Sequence, residues 1–221
     1  GYEGGARFAQ MAQRVPGAVT NILGQHASEF GVYVLIGMAV KEDVETVLYN
    51  GAVLIAPDGE VAGQYRKIHL PAEERLVFRP GYQIKPFETE IGILGVMTGW
   101  DLAFPEMARS LMLSGAEIIL LPAAWQAKDA DMWRTLLVAR AYENDIYIAA
   151  ANRIGEEPSY VFAGQSAVLS PAGEVLAALE EPEEGYVVVR LDMDEVRHRR
   201  EESQIMLARQ PNSYRPIVRK Y

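Results

Sequence analysis

The sequence predicts an α/β fold in which two sheets pack face to face and helices cover their outer sides. Three observations predict it. Strand-like segments outnumber helical ones, and the helices fall between groups of strands. The segment AVLIAPDGEV (52–61) returns as AVLSPAGEV (167–175), one residue shorter, so similar hairpins are expected in two halves of the molecule. Hydrophobic residues make up 49% and charged residues 23% of the 221 positions, an ordinary globular balance that needs no covalent staples.

Taken in order, residues 16–30 fit a helix, with Pro16 suited to its start and Val19, Ile22, Leu23 and Phe30 expected on its apolar face. Residues 32–40 read as a buried strand rich in β-branched side chains. Residues 47–56 and 60–67 flank Pro57-Asp58-Gly59, a hairpin with explicit turn chemistry. Residues 87–98 hold one or two strands, and 105–115 form a short helix stopped by Gly115. A buried strand follows at 116–125. The helix at 131–145 is expected to bury Met132, Leu136, Val138, Ala139 and Tyr142, and 145–152 is again a buried strand. Residues 165–170 and 174–179 flank the second Pro-x-Gly turn, at Pro171 and Gly173. Residues 185–192 read as a strand and 194–202 as a charged helix. The two prolines of the last stretch point to an extended C-terminal arm over about 203–221. No linker divides the chain, so 1–221 is expected to be one domain.

Charge and composition exclude several classes. The net charge is −9, and the densest basic cluster, Arg197, Arg199 and Arg200, is flanked by Glu195, Glu201 and Glu202, so no nucleic-acid footprint exists. No apolar run approaches ~18 residues, so no membrane span is expected. There is no cysteine, hence no disulfide or thiolate metal site, and the three histidines are scattered; no metal is expected. The opening GYEGGARF shows no signal-peptide pattern, and a processed start and a trimmed fragment both remain open.

One segment has the layout of a reactive turn. A strand ending in Val96-Met97-Thr98 feeds Gly99-Trp100-Asp101 and then a helix near Pro105. A strand, tight turn and helix in succession expose one side chain near backbone N–H groups able to hold an oxyanion. The projecting position is Gly99, whose other reading is a glycine supplying a positive φ. Lys67, at a strand end, is either a solvated terminus or a buried cation that stabilises an oxyanion, and Glu73 and Glu74 follow it. Trp100, Trp125 and Trp133 belong either to a pocket or to the core. His69 has no acidic or Ser partner suggested by spacing, and Asp101, Glu106 and Arg109 are expected as an internal salt-bridge set beneath the turn.

Several of these segments together resemble the nitrilase superfamily, the carbon–nitrogen hydrolases. They are YRKIHL (65–70) with Glu74 and FRPG (78–81), GVMTGWDLAFPEMAR (95–109), GAEIILLPAAW (115–125) and ARAYENDIYIAAANRIG (139–155). The resemblance implies a four-layer α-β-β-α sandwich and cleavage of non-peptide C–N bonds by a Glu-Lys-Cys triad through a thioester, with no cofactor. It assigns Lys67 to the lysine, Glu74 to a second glutamate that positions lysine and substrate, the Trp100 N–H to the oxyanion donor, and Trp125 to the pocket border. It places Gly99 where the family has its nucleophilic cysteine. It also puts the base glutamate just before a Gly-Tyr pair, here Gly1-Tyr2, so that an N-terminal strand and helix are expected to be missing.

The expected function is hydrolysis of a small linear amide, with the chain as written inactive because the attacking sulfur is lost. The alternatives are a natural pseudoenzyme or small-molecule binding protein, an enzyme using water with Glu74 as base, and a nitrilase or N-carbamoyl amine amidohydrolase. A small amide or nitrile is the expected partner. A homodimer or larger homo-oligomer in the cytoplasm is expected, with Met193, Val196, Ile205, Met206 and Leu207 supplying contact or core.

Overall fold

The computed structural model describes residues 10–42, 47–71 and 74–219. Its element order is α1 (Ala18–Phe30), β1 (Val34–Lys41), β2 (Leu48–Ile55), β3 (Val61–Arg66), β4 (Phe87–Thr89), β5 (Gly92–Val96), α2 (Pro105–Leu113), β6 (Ile118–Ala123), α3 (Ala130–Asn144), β7 (Tyr147–Asn152), β8 (Ile154–Glu157), β9 (Tyr160–Ala163), β10 (Ala167–Leu169), β11 (Val175–Ala178) and α4 (Asp194–Ser203). Short 3₁₀ turns lie at Glu74–Leu76, Gly99–Ala103, Ala127–Asp129 and Pro211–Val218.

Two sheets carry the fold. One has the order β1-β2-β3, all antiparallel; the other runs β11-β10-β7-β6-β5-β4, with β5, β6 and β7 parallel. They face each other through β1 and β6, while α1 lies against β2 and α2 and α3 lie against the larger sheet. The result is the α-β-β-α layering, with a core of Met97, Leu102, Met107, Leu111, Ile119, Trp133 and Ile148 between the larger sheet and its helices.

The echoed hairpins fall one in each sheet, as β2–β3 and β10–β11. Their turns match bond for bond: Ala56 N–H donates to Glu60 O and Gly59 N–H to Ala56 O, while Ser170 N–H donates to Glu174 O and Gly173 N–H to Ser170 O. Gly59 and Gly173 have φ of 88° and 81°, a region that costs glycine nothing and other residues a great deal. Each ladder also carries one register shift beside its turn.

Four expectations need correction. Helix α1 buries Thr20, Gly24 and Ala27, leaving Ile22 and Phe30 exposed, because its backbone rests on the β2–β3 turn. A Cβ on Gly24 would stand 2.4 Å from Gly59 O, so small residues face inward there. Helix α3 buries Trp133, Leu137, Arg140, Ala141 and Asn144, whereas Met132, Val138 and Tyr142 are exposed. Residues 185–192 join no ladder, and Leu191 packs instead on the cluster of Leu94, Ile118 and Tyr147. The C-terminal stretch is not extended throughout: Pro211–Val218 wind into a 3₁₀ helix, with Pro211 in its first turn where the missing N–H is harmless. Sequence reasoning also missed the β8–β9 ribbon, whose strands are only four residues each. Of the five apolar residues near the C-terminus, Val196 is core, Met193 and Met206 pack on the core, and Leu207 is exposed.

Candidate active site

The parallel strands β5, β6 and β7 end at one edge of the larger sheet, which is where open α/β sheets present their functional loops. That edge carries Gly99, Trp125 and Asn152. The smaller sheet sends Lys67, directly after β3, to the same place. The backbone of Lys67 is pinned by its N–H to Asn50 O and by Gly81 N–H to its own carbonyl, both at 2.8 Å.

Lys67 is 2% exposed and is no solvated strand end. Its Nζ donates to both oxygens of Glu74 at 2.8 Å, and Asn50 Nδ2 donates to Glu74 Oε2 at 3.2 Å. A buried cation and anion each cost several kcal/mol to desolvate, so their pairing holds the loop that carries Glu74 to the end of β3. Glu73 lies outside the described residues.

Gly99 satisfies both of its sequence readings at once. Its φ is 46°, the left-handed conformation that a tight turn after a strand demands. A Cβ built on it would meet Lys67 Nζ at 3.7 Å, with no other side chain from elsewhere in the chain within 4 Å among the described residues. The turn therefore aims an empty side-chain direction at a buried ammonium. Trp100 follows in the first turn of a 3₁₀ helix, where N–H groups have no intrahelical acceptor.

Asp101 ties the two sheets together beneath this turn. It is fully buried and takes bonds from Tyr65 OH at 2.7 Å, Thr98 N–H at 3.1 Å and His69 N–H at 3.0 Å, and pairs with His69 Nδ1 at 3.0 Å. Burial pushes the Tyr65 phenol far above its ordinary range, and the Asp101 charge and hydrogen bond push it further. The His69 ring stacks on Phe104 with centroids 3.6 Å apart. The expected salt-bridge set of Asp101, Glu106 and Arg109 does not form. Asp101 has these other partners, Glu106 is exposed, and Arg109 reaches Glu143 O and Met206 Sδ on the far side of α2. His69 thus has an acidic partner that no spacing rule suggests, the two residues being 32 apart in sequence. Arg140 completes the frame, donating to Leu102 O at 3.1 Å and Ala103 O at 3.3 Å at the end of the turn.

Lys67, Glu74, Gly99, Trp100 and Trp125 line one cavity of about 740 Å³. The three tryptophans divide: Trp100 and Trp125 border this cavity, and Trp133 is core. Trp125 is held by its N–H to Asn152 Oδ1 at 2.7 Å. Met132, Leu136, Tyr160 and Phe162 also line the space and were not foreseen as site residues. Helical periodicity puts Met132 and Leu136 on the apolar face of α3, and Tyr160 and Phe162 arrive on the ribbon that the sequence does not reveal. Among the described residues no group of three or more His, Asp or Glu side chains is arranged to hold a metal. No helix is long and apolar enough to cross a membrane among those residues.

Comparison with known proteins places this geometry. The carbon–nitrogen hydrolase family model matches residues 1–201, and the chain belongs to that family of enzymes. It is 37% identical over 199 residues to a probable nitrilase of Schizosaccharomyces pombe, covering 89% of this chain and 73% of the relative. It is 32% identical over 212 residues to an N-carbamoylputrescine amidase of Arabidopsis thaliana, covering 87% and 70%. The crystal structure of a carbon–nitrogen hydrolase from Helicobacter pylori G27 superposes with a TM-score of 0.87 at 27% identity, over 99% of this chain and 79% of that one. A cysteine-mutated (Cys to Ala) amidase from Nesterenkonia sp. AN1, in complex with butyramide, superposes with a TM-score of 0.76 at 32% identity, over 90% and 77%.

Proposed function

We propose that the site is built for hydrolysis of a small linear amide by a Glu-Lys-Cys thioester mechanism, and that with Gly99 in the nucleophile position this chain binds amides without turning them over. The observation that carries the reading is the side-chain direction at residue 99, which meets Lys67 Nζ at 3.7 Å and, among the described residues, no other side chain from elsewhere in the chain within 4 Å. A thiolate on that Cβ would attack the amide carbon. The carbonyl oxygen, becoming an oxyanion, would lie between Lys67 Nζ and the Trp100 N–H, groups fixed before reaction by Glu74 and by the Asp101 frame. The C–N bond breaks as the amine takes a proton, leaving a thioester that water hydrolyses. Trp125 borders the bound acyl group. The family's general-base glutamate has no counterpart among the described residues. Loss of the nucleophile alone costs about 10⁶ in turnover in enzymes with an activated nucleophile.

Similarity to a nitrilase, an N-carbamoylputrescine amidase and a butyramide-binding amidase supports C–N bonds in small amides or nitriles as the chemistry. A water nucleophile with Glu74 as base is a weaker reading, because both Glu74 oxygens are already engaged by Lys67. A natural binding protein remains the second reading, and Gly99 itself favours it. The test is a Gly99→Cys variant, in a chain extended by a front segment that carries the base glutamate, scanned against small amides, carbamoyl amines and nitriles for ammonia release and for an acyl adduct on residue 99 by mass spectrometry. Release or an adduct is expected with amides; a reactive thiol that gains neither from any compound would establish the binding protein. The proposal extends to a single domain over 1–221, to a cytoplasmic location, and to a homodimer or larger homo-oligomer, for which sedimentation is the check.

A further inference from the structure

The cavity that begins at Lys67 continues away from it along a different kind of surface. Met132 and Leu136 sit one helical turn apart on α3, so both point to one side. Tyr160 and Phe162 are two apart on β9 and share one face of the ribbon. A bridge between Gln126 and Phe162 and the bond from Ala163 N–H to Trp125 O fasten that ribbon to the loop after β6. Trp125 closes the wall with its indole ring. Its Nε1–H donates to Asp129 O at 2.9 Å, so the ring has no donor left for a ligand.

Charge is distributed just as unevenly. Lys67 and Glu74 neutralise each other at the closed end. The other charged residues on the lining, Lys128 and Asp129, are exposed to solvent. Among the described residues, Lys67, Glu74, Lys128 and Asp129 are the charged residues on the lining, and Trp125, Met132, Leu136 and Phe162 add none. A ligand charge laid against this apolar stretch would lose water, and the side chains of Met132, Leu136 and Phe162 offer it no hydrogen bond in return.

We infer that Trp125, Met132, Leu136, Tyr160 and Phe162 form an acyl subsite selecting amides with an uncharged, apolar chain, and rejecting those whose far end is ionised. This rests on the reading of the site as amide-binding, and it narrows the substrate class to aliphatic and arylalkyl amides.

The test uses the Gly99 protein itself, titrated calorimetrically with acetamide, propionamide, butyramide and pentanamide, then with succinamate and 4-aminobutyramide. Affinity is expected to rise about fourfold per methylene, with both charged amides at least about tenfold weaker than pentanamide. Charged amides binding as tightly as pentanamide, or an amide series with no chain-length dependence, would overturn the subsite while leaving amide binding intact. If primary alkanols show the chain-length dependence and no amide binds, the subsite stands and the amide reading fails. Binding by neither series overturns both. Met132→Lys supplies a second measurement at a position 53% exposed, where the fold tolerates a long polar chain. It is expected to weaken pentanamide about tenfold and acetamide less than twofold, with an unchanged circular-dichroism spectrum; an unchanged pentanamide affinity counts against the subsite.

Discussion

The closed end of the cavity and its far wall are built by opposite means. At the closed end the buried polar side chains are bonded to one another: Lys67 to Glu74, Glu74 to Asn50, and Asp101 to Tyr65, His69 and Thr98. Those residues come from both sheets, and their bonds hold the β3 end against the β5 turn. The far wall is made mainly of apolar surface from a helix and a small ribbon, with the Trp125 indole N–H on Asp129 O and the Arg153 guanidinium over the Phe162 ring at 4.2 Å. The closed end is therefore rigid and intolerant, since removing one member strands a buried partner. In the wall Met132 is exposed while Phe162 is buried, so the Met132 position is the one where a change should spare the fold.

The largest effect that would sharpen this contrast is expected from Glu74→Leu. It leaves the Lys67 ammonium buried and unpaired, at a cost of about 3–5 kcal/mol. Replacing Lys67 as well, as Lys67→Met with Glu74→Leu, should recover most of that stability while abolishing ligand binding. Urea midpoints of the two variants check this, and equal loss in both would show that the pair is not the source.

Asp101→Asn keeps the shape but removes a charge accepting several hydrogen bonds, and should cost about 1.5–3 kcal/mol. A drop in amide affinity beyond what Tyr65→Phe causes would mark Asp101 as positioning the Gly99 turn.

A smaller effect concerns alkali. The Tyr65 phenol is raised by burial and Asp101, and that of Tyr147 by burial and a hydrogen bond to Glu195. An unfolded tyrosine loses its proton near pH ~10 while these keep theirs. The stability they contribute is therefore complete below that pH and declines as the pH rises above it. Tyr65→Phe should flatten the alkaline limb of the stability curve, and Tyr147 should preserve part of the slope.

The smallest expected change in stability is at the wall, where Met132→Lys should move the unfolding free energy by no more than about 0.5 kcal/mol. A loss comparable to that of Asp101→Asn would break the contrast between the two ends.

Much of the fold was legible because it rests on local chemistry. The Pro-x-Gly turns announced both hairpins, and Pro105 and Gly115 bracketed α2. The faces of α1 and α3 were misread for a non-local reason. Gly24 is buried because Gly59 presses on it, and Arg140 because it reaches two carbonyls of the Gly99 turn. Hydropathy alone ranks Ile22 and Met132 above such residues. At the site, Lys67, Glu74, Gly99, Trp100 and Trp125 were each marked and share one cavity. The partnership of Asp101 with His69 was not, since no spacing rule links residues 32 apart.

The amino-acid sequence by itself determined which turns form, which strands are buried, and that residue 99 offers no reactive atom, because these depend on side-chain identity and the conformations of neighbouring peptide units. Tertiary structure alone decided that Lys67 is buried, that the Gly99 direction points at its Nζ, and that Met132, Leu136, Tyr160 and Phe162 share one cavity. Those facts arise where two sheets, a helix and a ribbon meet, and burial, distance and facing direction are properties of the assembled layers rather than of any one segment.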